Sequence, residues 1–155
     1  MEQTTAVSAI PDGYSTIAPY LIVDGAQAVI TFLKGAFGAE VIQITHGPMG
    51  PDGNRLIGNA EVRVGNSMIM VADAREGAPA QKVMLYLYFK DVDAVHAKAL
   101  AAEGVEMMPP MDMFYGDRHG GIIDPAGNSW FIASRIEDVD DDELQRRADA
   151  HHGGH

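Results

Sequence analysis

Apolar positions in this chain change period several times, and each change marks an element. Over 26–37, Ala26, Val29, Ile30, Leu33, Ala36 and Phe37 recur at steps of three and four, which predicts one stripe of a helix. Asp24 stands where a cap is expected, and Gly38 where a helix stops. A second helix is predicted over 91–103, with Asp91 as cap and Gly104 as stop. Alternating or continuous apolar runs predict strands over 14–23, 41–45, 57–64, 67–72, 82–89, near Met107, and over 118–123 and 129–133. Pro19 has no amide hydrogen to give a ladder, so it belongs at a strand start or a free edge. The Gly/Pro-dense stretch 46–54 predicts a loop, and residues 1–13 a loose leader. Asp140 followed by Glu143 predicts a capping box for a last helix, with Arg146 and Arg147 towards its C-terminal end.

The order of elements repeats. Gly65-Asn66-Ser67 and Gly127-Asn128-Ser129 lie 62 positions apart, each opening an apolar run as the turn of a hairpin would. Ala36-Phe37-Gly38-Ala39-Glu40 and Ala102-Glu103-Gly104-Val105-Glu106 lie 66 positions apart. One unit built twice follows, over 14–73 and 82–136, with an acidic helix and a tail carrying His151, His152 and His155 over 137–155.

Composition narrows the partners. A net charge of −11 argues against nucleic acid and, beyond favouring solubility, attracts cationic small molecules. The absence of cysteine removes disulfides, thiolate metal sites and cysteine nucleophiles. No stretch looks like a signal peptide or a membrane span, so a soluble cytoplasmic protein with no membrane partner is expected.

A βαβββ unit made twice, with Tyr115-Gly-Asp-Arg118 and then Asp124-Pro-Ala-Gly-Asn-Ser-Trp130 in the second copy, resembles the vicinal oxygen chelate superfamily of glyoxalase I, extradiol dioxygenases and bleomycin- and fosfomycin-resistance proteins. The short bacterial glyoxalase-like or demethylubiquinone-methyltransferase-like branch is the most similar. The resemblance implies an α+β fold in which two tandem modules curl their sheets into half-barrels around a cavity. It also places metal ligands of active members on the first and last strand of each module. Those positions fall on Ala18, Ile69, Met84 and Phe131, none of which suits a divalent ion, and slipping the count by one residue changes nothing. Asn59 and Asn128 stand where related sequences often have His. The expectation is therefore no metal and no cofactor.

Alternation along strands then predicts what lines the cavity. Ala18, Tyr20, Ile22, Ile69, Val71, Met84, Tyr86, Tyr88, Phe131 and Ala133 should point inward, and Leu21, Val23, Leu85, Leu87, Phe89, Trp130 and Ile132 towards the helices. Such a cavity suits a flat organic molecule, possessing a few phenols as polar handles; the plainer reading is a filled core. Met111 and Tyr115 belong to a stretch of four methionines and two aromatics expected in a loop at the mouth, serving a ligand, a core gap or a dimer contact. Glu61 and His119 are the acid, base or ligand candidates, with His46 a weaker one. Arg118 either clamps an anion or pairs with Asp117. Two functions follow: a metal-independent binding protein like the drug-sequestering resistance proteins, or a lyase, isomerase or dioxygenase with a displaced or absent metal site. A homodimer is expected, because a half-barrel exposes its concave face unless another module covers it.

Overall fold

The computed structural model describes residues 6–153, and each repeat in it is a four-stranded sheet backed by one helix. The first comprises β1 (Tyr20–Val23), α1 (Ala26–Phe37), β2 (Glu40–Met49), β3 (Arg55–Val64) and β4 (Ser67–Asp73). The second comprises β5 (Met84–Tyr88), α2 (Val92–Ala101), β6 (Val105–Asp112), β7 (Asp117–Ile123) and β8 (Ser129–Arg135), and α3 (Asp141–His152) follows. Strand orders are β1-β4-β3-β2 and β5-β8-β7-β6, with the first pair of each sheet parallel and the rest antiparallel. The fold is the expected α+β arrangement of two tandem modules with curled, unclosed sheets and a C-terminal helix. Register shifts in β2–β3 and β6–β7 mark bulges, which bend strands.

Several boundaries differ from expectation for physical reasons. The first strand begins at Tyr20, so Ala18 and Pro19 precede it, in keeping with proline's missing donor. The stretch 46–54 is loop only in its second part: β2 continues through His46, Gly47, Pro48 and Met49, and the turn occupies 50–54. The Met-rich stretch is likewise strand β6, which contains Pro109 and Pro110. Both prolines are tolerated because β2 and β6 are edge strands. The residue before α1 is Gly25 in a left-handed conformation, not Asp24. The capping carboxylate comes from Asp73, whose Oδ1 accepts from Ala26 N at 2.8 Å and whose Oδ2 accepts from Ile57 N at 2.7 Å. Asp91 and Asp140 cap α2 and α3 as expected.

The two modules share one core. The stripe of α1 packs on Leu21, Val62 and Val71, and beyond them on residues of the second module. Phe37 lies 5.5 Å from both the Phe89 and Trp130 rings, and Phe32 lies 6.4 Å from Trp130. A Cβ at Gly104 would come within 2.6 Å of Ile122 and 2.7 Å of the Ala99 carbonyl, so the close packing of α2 on its sheet requires glycine there.

The Asp124-Pro-Ala-Gly-Asn-Ser-Trp segment is a structural clasp. Asp124 is buried and accepts from the amides of Ala126 and Asn128, from Asn128 Nδ2 at 3.0 Å and from Trp130 Nε1 at 2.8 Å. Asn128 Oδ1 in turn accepts from Val83 N at 2.9 Å, tying the turn to the start of β5. Replacing Asp124 by Ala leaves several buried donors unpaired and is expected to cost about 3 kcal/mol of stability. Trp130, the sole tryptophan, reports this in denaturant titrations as a lower midpoint.

Candidate functional site

Each sheet has one face against the helices and one turned away from them. In the second sheet the parallel register sets Met84 beside Ser129, Tyr86 beside Phe131 and Tyr88 beside Ala133, while Leu85 and Leu87 align with the buried Trp130 and Ile132. The open face therefore carries Met84, Tyr86, Tyr88, Phe131 and Ala133, as alternation predicts. On β7 it carries Asp117, His119 and Gly121, which pair with Arg135, Ala133 and Phe131.

The first sheet departs from expectation by one residue. Tyr20 pairs with Met70 and Leu21 with Val71, so Tyr20, Ile22, Met68, Met70 and Ala72 share the open face. Ile69 and Val71, predicted to point inward, belong to the helix-side core, where Ile69 is 4% exposed. The cause is the turn. Val64 pairs directly with Ser67 across Gly65-Asn66, whereas five residues separate Ile123 from its partner Ser129. Aligning the two Gly-Asn-Ser triplets therefore equates opposite faces, and Met70 is the true counterpart of Phe131.

A polar and aromatic cluster occupies the centre of the second open face. The Tyr86 hydroxyl donates to Asp117 Oδ2 at 2.8 Å and the Tyr88 hydroxyl to the same oxygen at 3.2 Å. His119 Nδ1 lies 3.2 Å from both the Tyr86 and Tyr115 hydroxyls. With the Tyr86 hydrogen committed to Asp117, Nδ1 serves as acceptor to Tyr115 or as donor to the Tyr86 oxygen, according to tautomer. His119 Nε2 has no hydrogen-bond partner among the described residues. The rings stack in series, with Phe131 5.4 Å from His119 and 6.1 Å from Tyr86. Met84, Tyr86 and Tyr88 are nevertheless 68%, 40% and 64% exposed, so in the single chain this is an open face and not a closed cavity.

Burial, reinforced by the Asp117 carboxylate, holds the Tyr86 phenol well above its ordinary value, and Tyr88 shifts the same way. Burial lowers the His119 imidazole, with Asp117 partly opposing it, so the ring is neutral near pH 7.

The remaining candidates separate. Glu61 lies on the open face of the first sheet, where its Oε1 accepts from the Tyr14 hydroxyl at 2.6 Å, so it does not join His119. Burial and Glu61 push the Tyr14 phenol up to about 12. The leader thus lies across the first sheet from residue 9 onward, with a shallow cavity of about 310 Å³ between it, Glu61 and Met70. Arg118 points to the helix side and pairs with Asp93 at 2.9 Å and Asp112 at 3.0 Å, not with Asp117, and it is not on the open face. Met111 pairs with His119 on the neighbouring strand and is exposed. His46 is exposed on β2. Among the described residues no three His, Asp or Glu side chains gather as ligands of one ion. His151 and His152 belong to α3, with His151 5.0 Å from Phe114, and His155 lies outside the described residues.

Two features escaped the sequence. Asp117 is the hub of the cluster, recognisable only once β8 is paired with β7 on one side and β5 on the other. His96 is buried on α2, with Nε2 3.2 Å from Glu106 and with no partner for Nδ1 among the described residues, fitted against Gly120. The helical period alone could have placed His96 on the inner stripe.

The sequence model of the Glyoxalase/Bleomycin resistance protein/Dioxygenase superfamily matches residues 14–132. The chain belongs to that superfamily. An uncharacterized protein of Mycobacterium bovis is 29% identical over 140 residues, spanning 83% of this chain and 89% of its own length. A Mycobacterium tuberculosis protein is 29% identical over 140 residues, spanning 83% and 79%. Among solved structures, TioX from Micromonospora sp. ML1 is similar with a TM-score of 0.62 at 19% identity, covering 79% of this chain and 99% of that one. A glyoxalase-related enzyme from Fulvimarina pelagi reaches 0.61 at 16% identity, covering 77% and 88%. These structural likenesses establish the fold.

On this superfamily scaffold the neutral His119 links stability to pH. Its folded value lies below the ordinary 6.5, so the unfolded chain takes up the proton first as pH falls. The stability it contributes is complete above the unfolded value and is lost as pH falls from there to the folded value, with no further loss below. His119→Gln should flatten the fall in denaturation midpoint as pH drops below the ordinary 6.5, relative to the parent chain.

Proposed function

We propose that the chain is a metal-independent small-molecule-binding protein of the superfamily, acting in the cytoplasm as drug-sequestering proteins do. Its ligand is a flat organic molecule carrying a cationic or hydrogen-bond-donating group. The observation that carries this is the convergence of Tyr86 and Tyr88 on one acidic group, Asp117, with Phe131 stacked on Tyr86, on a face turned from the core. Such a face has a large apolar area to be removed from water, and aromatic rings favour a stacked or cationic partner. Asp117 directs two phenols with one oxygen, and Oδ1 has no hydrogen-bond partner among the described residues.

A second copy of the chain supplies the missing wall. A homodimer that closes the open face converts it into a cleft and removes the exposed Met84 and Tyr88 from water. Light scattering on the eluting protein should give twice the 16.6 kDa chain mass, and a monomer at micromolar concentration would leave the face uncovered.

Thermal-shift screening against cationic aromatic compounds should identify stabilising ligands, with Phe131→Ala weakening the best of them about tenfold through lost stacking and burial. A broad panel without any stabiliser would defeat the proposal. One observation favours an enzyme as a second reading: a neutral imidazole held between two phenols is equipped to move a proton. In that case His119→Gln abolishes turnover of a bound compound while its affinity changes only a few-fold.

A further inference from the structure

The helix α3 begins beyond the residues that match the superfamily, and it buries none of its residues fully. It therefore adds little to the core, yet it is attached at one place with many bonds. Arg147 Nη1 donates to the Phe114 carbonyl at 3.0 Å. Its guanidinium also forks onto Glu137 at 2.7 and 2.9 Å and reaches Glu143 at 2.9 Å. The amides of Ile136 and Glu137 both donate to the Gly116 carbonyl. Gly116 has φ 97°, and a Cβ there would meet the Glu137 carbonyl at 2.5 Å, so this approach requires glycine. The His151 ring lies on Phe114, whose own ring meets Tyr115 edge-on at 5.3 Å. The bonds to the Phe114 and Gly116 carbonyls and the ring contacts fall on residues 113–116, the turn between β6 and β7 that carries Tyr115 to His119. The Glu137 and Glu143 carboxylates hold the Arg147 guanidinium in place for them.

We propose that α3 is a clasp that holds the Tyr115 turn against the open face of the second sheet, with Arg147 as the positioning residue. The clasp shapes one wall of the binding face and keeps water from His119; its role in recognition rests on the proposed binding function. Arg147 touches no open-face side chain and acts through the Phe114 carbonyl and Tyr115.

The test uses the full chain. In Arg147→Ala, amide hydrogen exchange over 113–116 should speed up about tenfold, because the turn loses its anchor while the core is untouched. The His119 ring signal, followed by NMR against pH, should titrate closer to the ordinary 6.5, since water reaches an imidazole whose other titratable neighbours, Tyr86, Tyr115 and Asp117, are unchanged. Arg147→Lys should restore part of both effects, since an ammonium still reaches the carbonyl without the two-pronged hold. Should Arg147→Ala fold poorly, Glu137→Gln weakens the same fork with a smaller change, and the same two measurements apply. Unchanged exchange and an unchanged His119 midpoint in a folded variant would overturn the clasp. Both are read without ligand. Ethidium affinity, measured in parallel, should fall in Arg147→Ala; if the parent chain does not bind the dye while both ligand-free signals move, the clasp stands and the binding proposal loses support.

Discussion

Phe37 lies against both Phe89 and Trp130, and this contact decides what the rest of the chain can do. Large aromatic rings bury substantial area and pack with defined geometry, so joining them across the modules makes one larger core from two units each of marginal size for a core of its own. The helix side of both sheets is consumed by that core. What remains for function is the pair of faces turned away. The first is partly covered by the leader through Tyr14 and Glu61, and the second is open.

How legible this was in the sequence depended on the length of the signal. Helices α1 and α2 and the helix-side residues of β1, β5 and β8 were readable because period and burial agree over several turns or several strand residues. The face of β4 was not, because a strand's facing is set by its turn, and the two Gly-Asn-Ser triplets occupy turns of different length. One residue of difference moved Ile69 and Val71 from the supposed cavity into the core. Glycine- and proline-dense stretches misled for a related reason: composition suggests a loop, but an edge strand tolerates proline on its unpaired side, as β2 and β6 both do.

Motif residues divided along a line that spacing could not draw. Asp124, Asn128 and Trp130 form the most recognisable stretch of the chain, and their side chains satisfy one another and neighbouring amides inside the fold. Arg118, adjacent in sequence to Asp117, faces the opposite way because neighbours on a strand do. The group that organises the open face was Asp117, which the Tyr115-Gly-Asp-Arg118 stretch contains without marking it as the hub. Its role comes from Tyr86 and Tyr88 reaching it across the intervening strand β8.

The chemistry of that cluster follows from how its protons are already assigned. A carboxylate that receives two phenol hydrogens has part of its charge compensated before any ligand arrives, and the phenols are pinned in orientation by it. Burial keeps His119 uncharged beside it near neutral pH. Rings fixed in this way lose little conformational entropy when a planar molecule stacks on them, which lowers the cost of binding. The same fixing resists proton release by the phenols, whose elevated values leave the imidazole as the group in the cluster poised to accept a proton from a bound molecule near neutral pH. A surface whose Tyr86 and Tyr88 protons are already committed to an acidic hub is therefore poorly suited to donating them to a bound molecule.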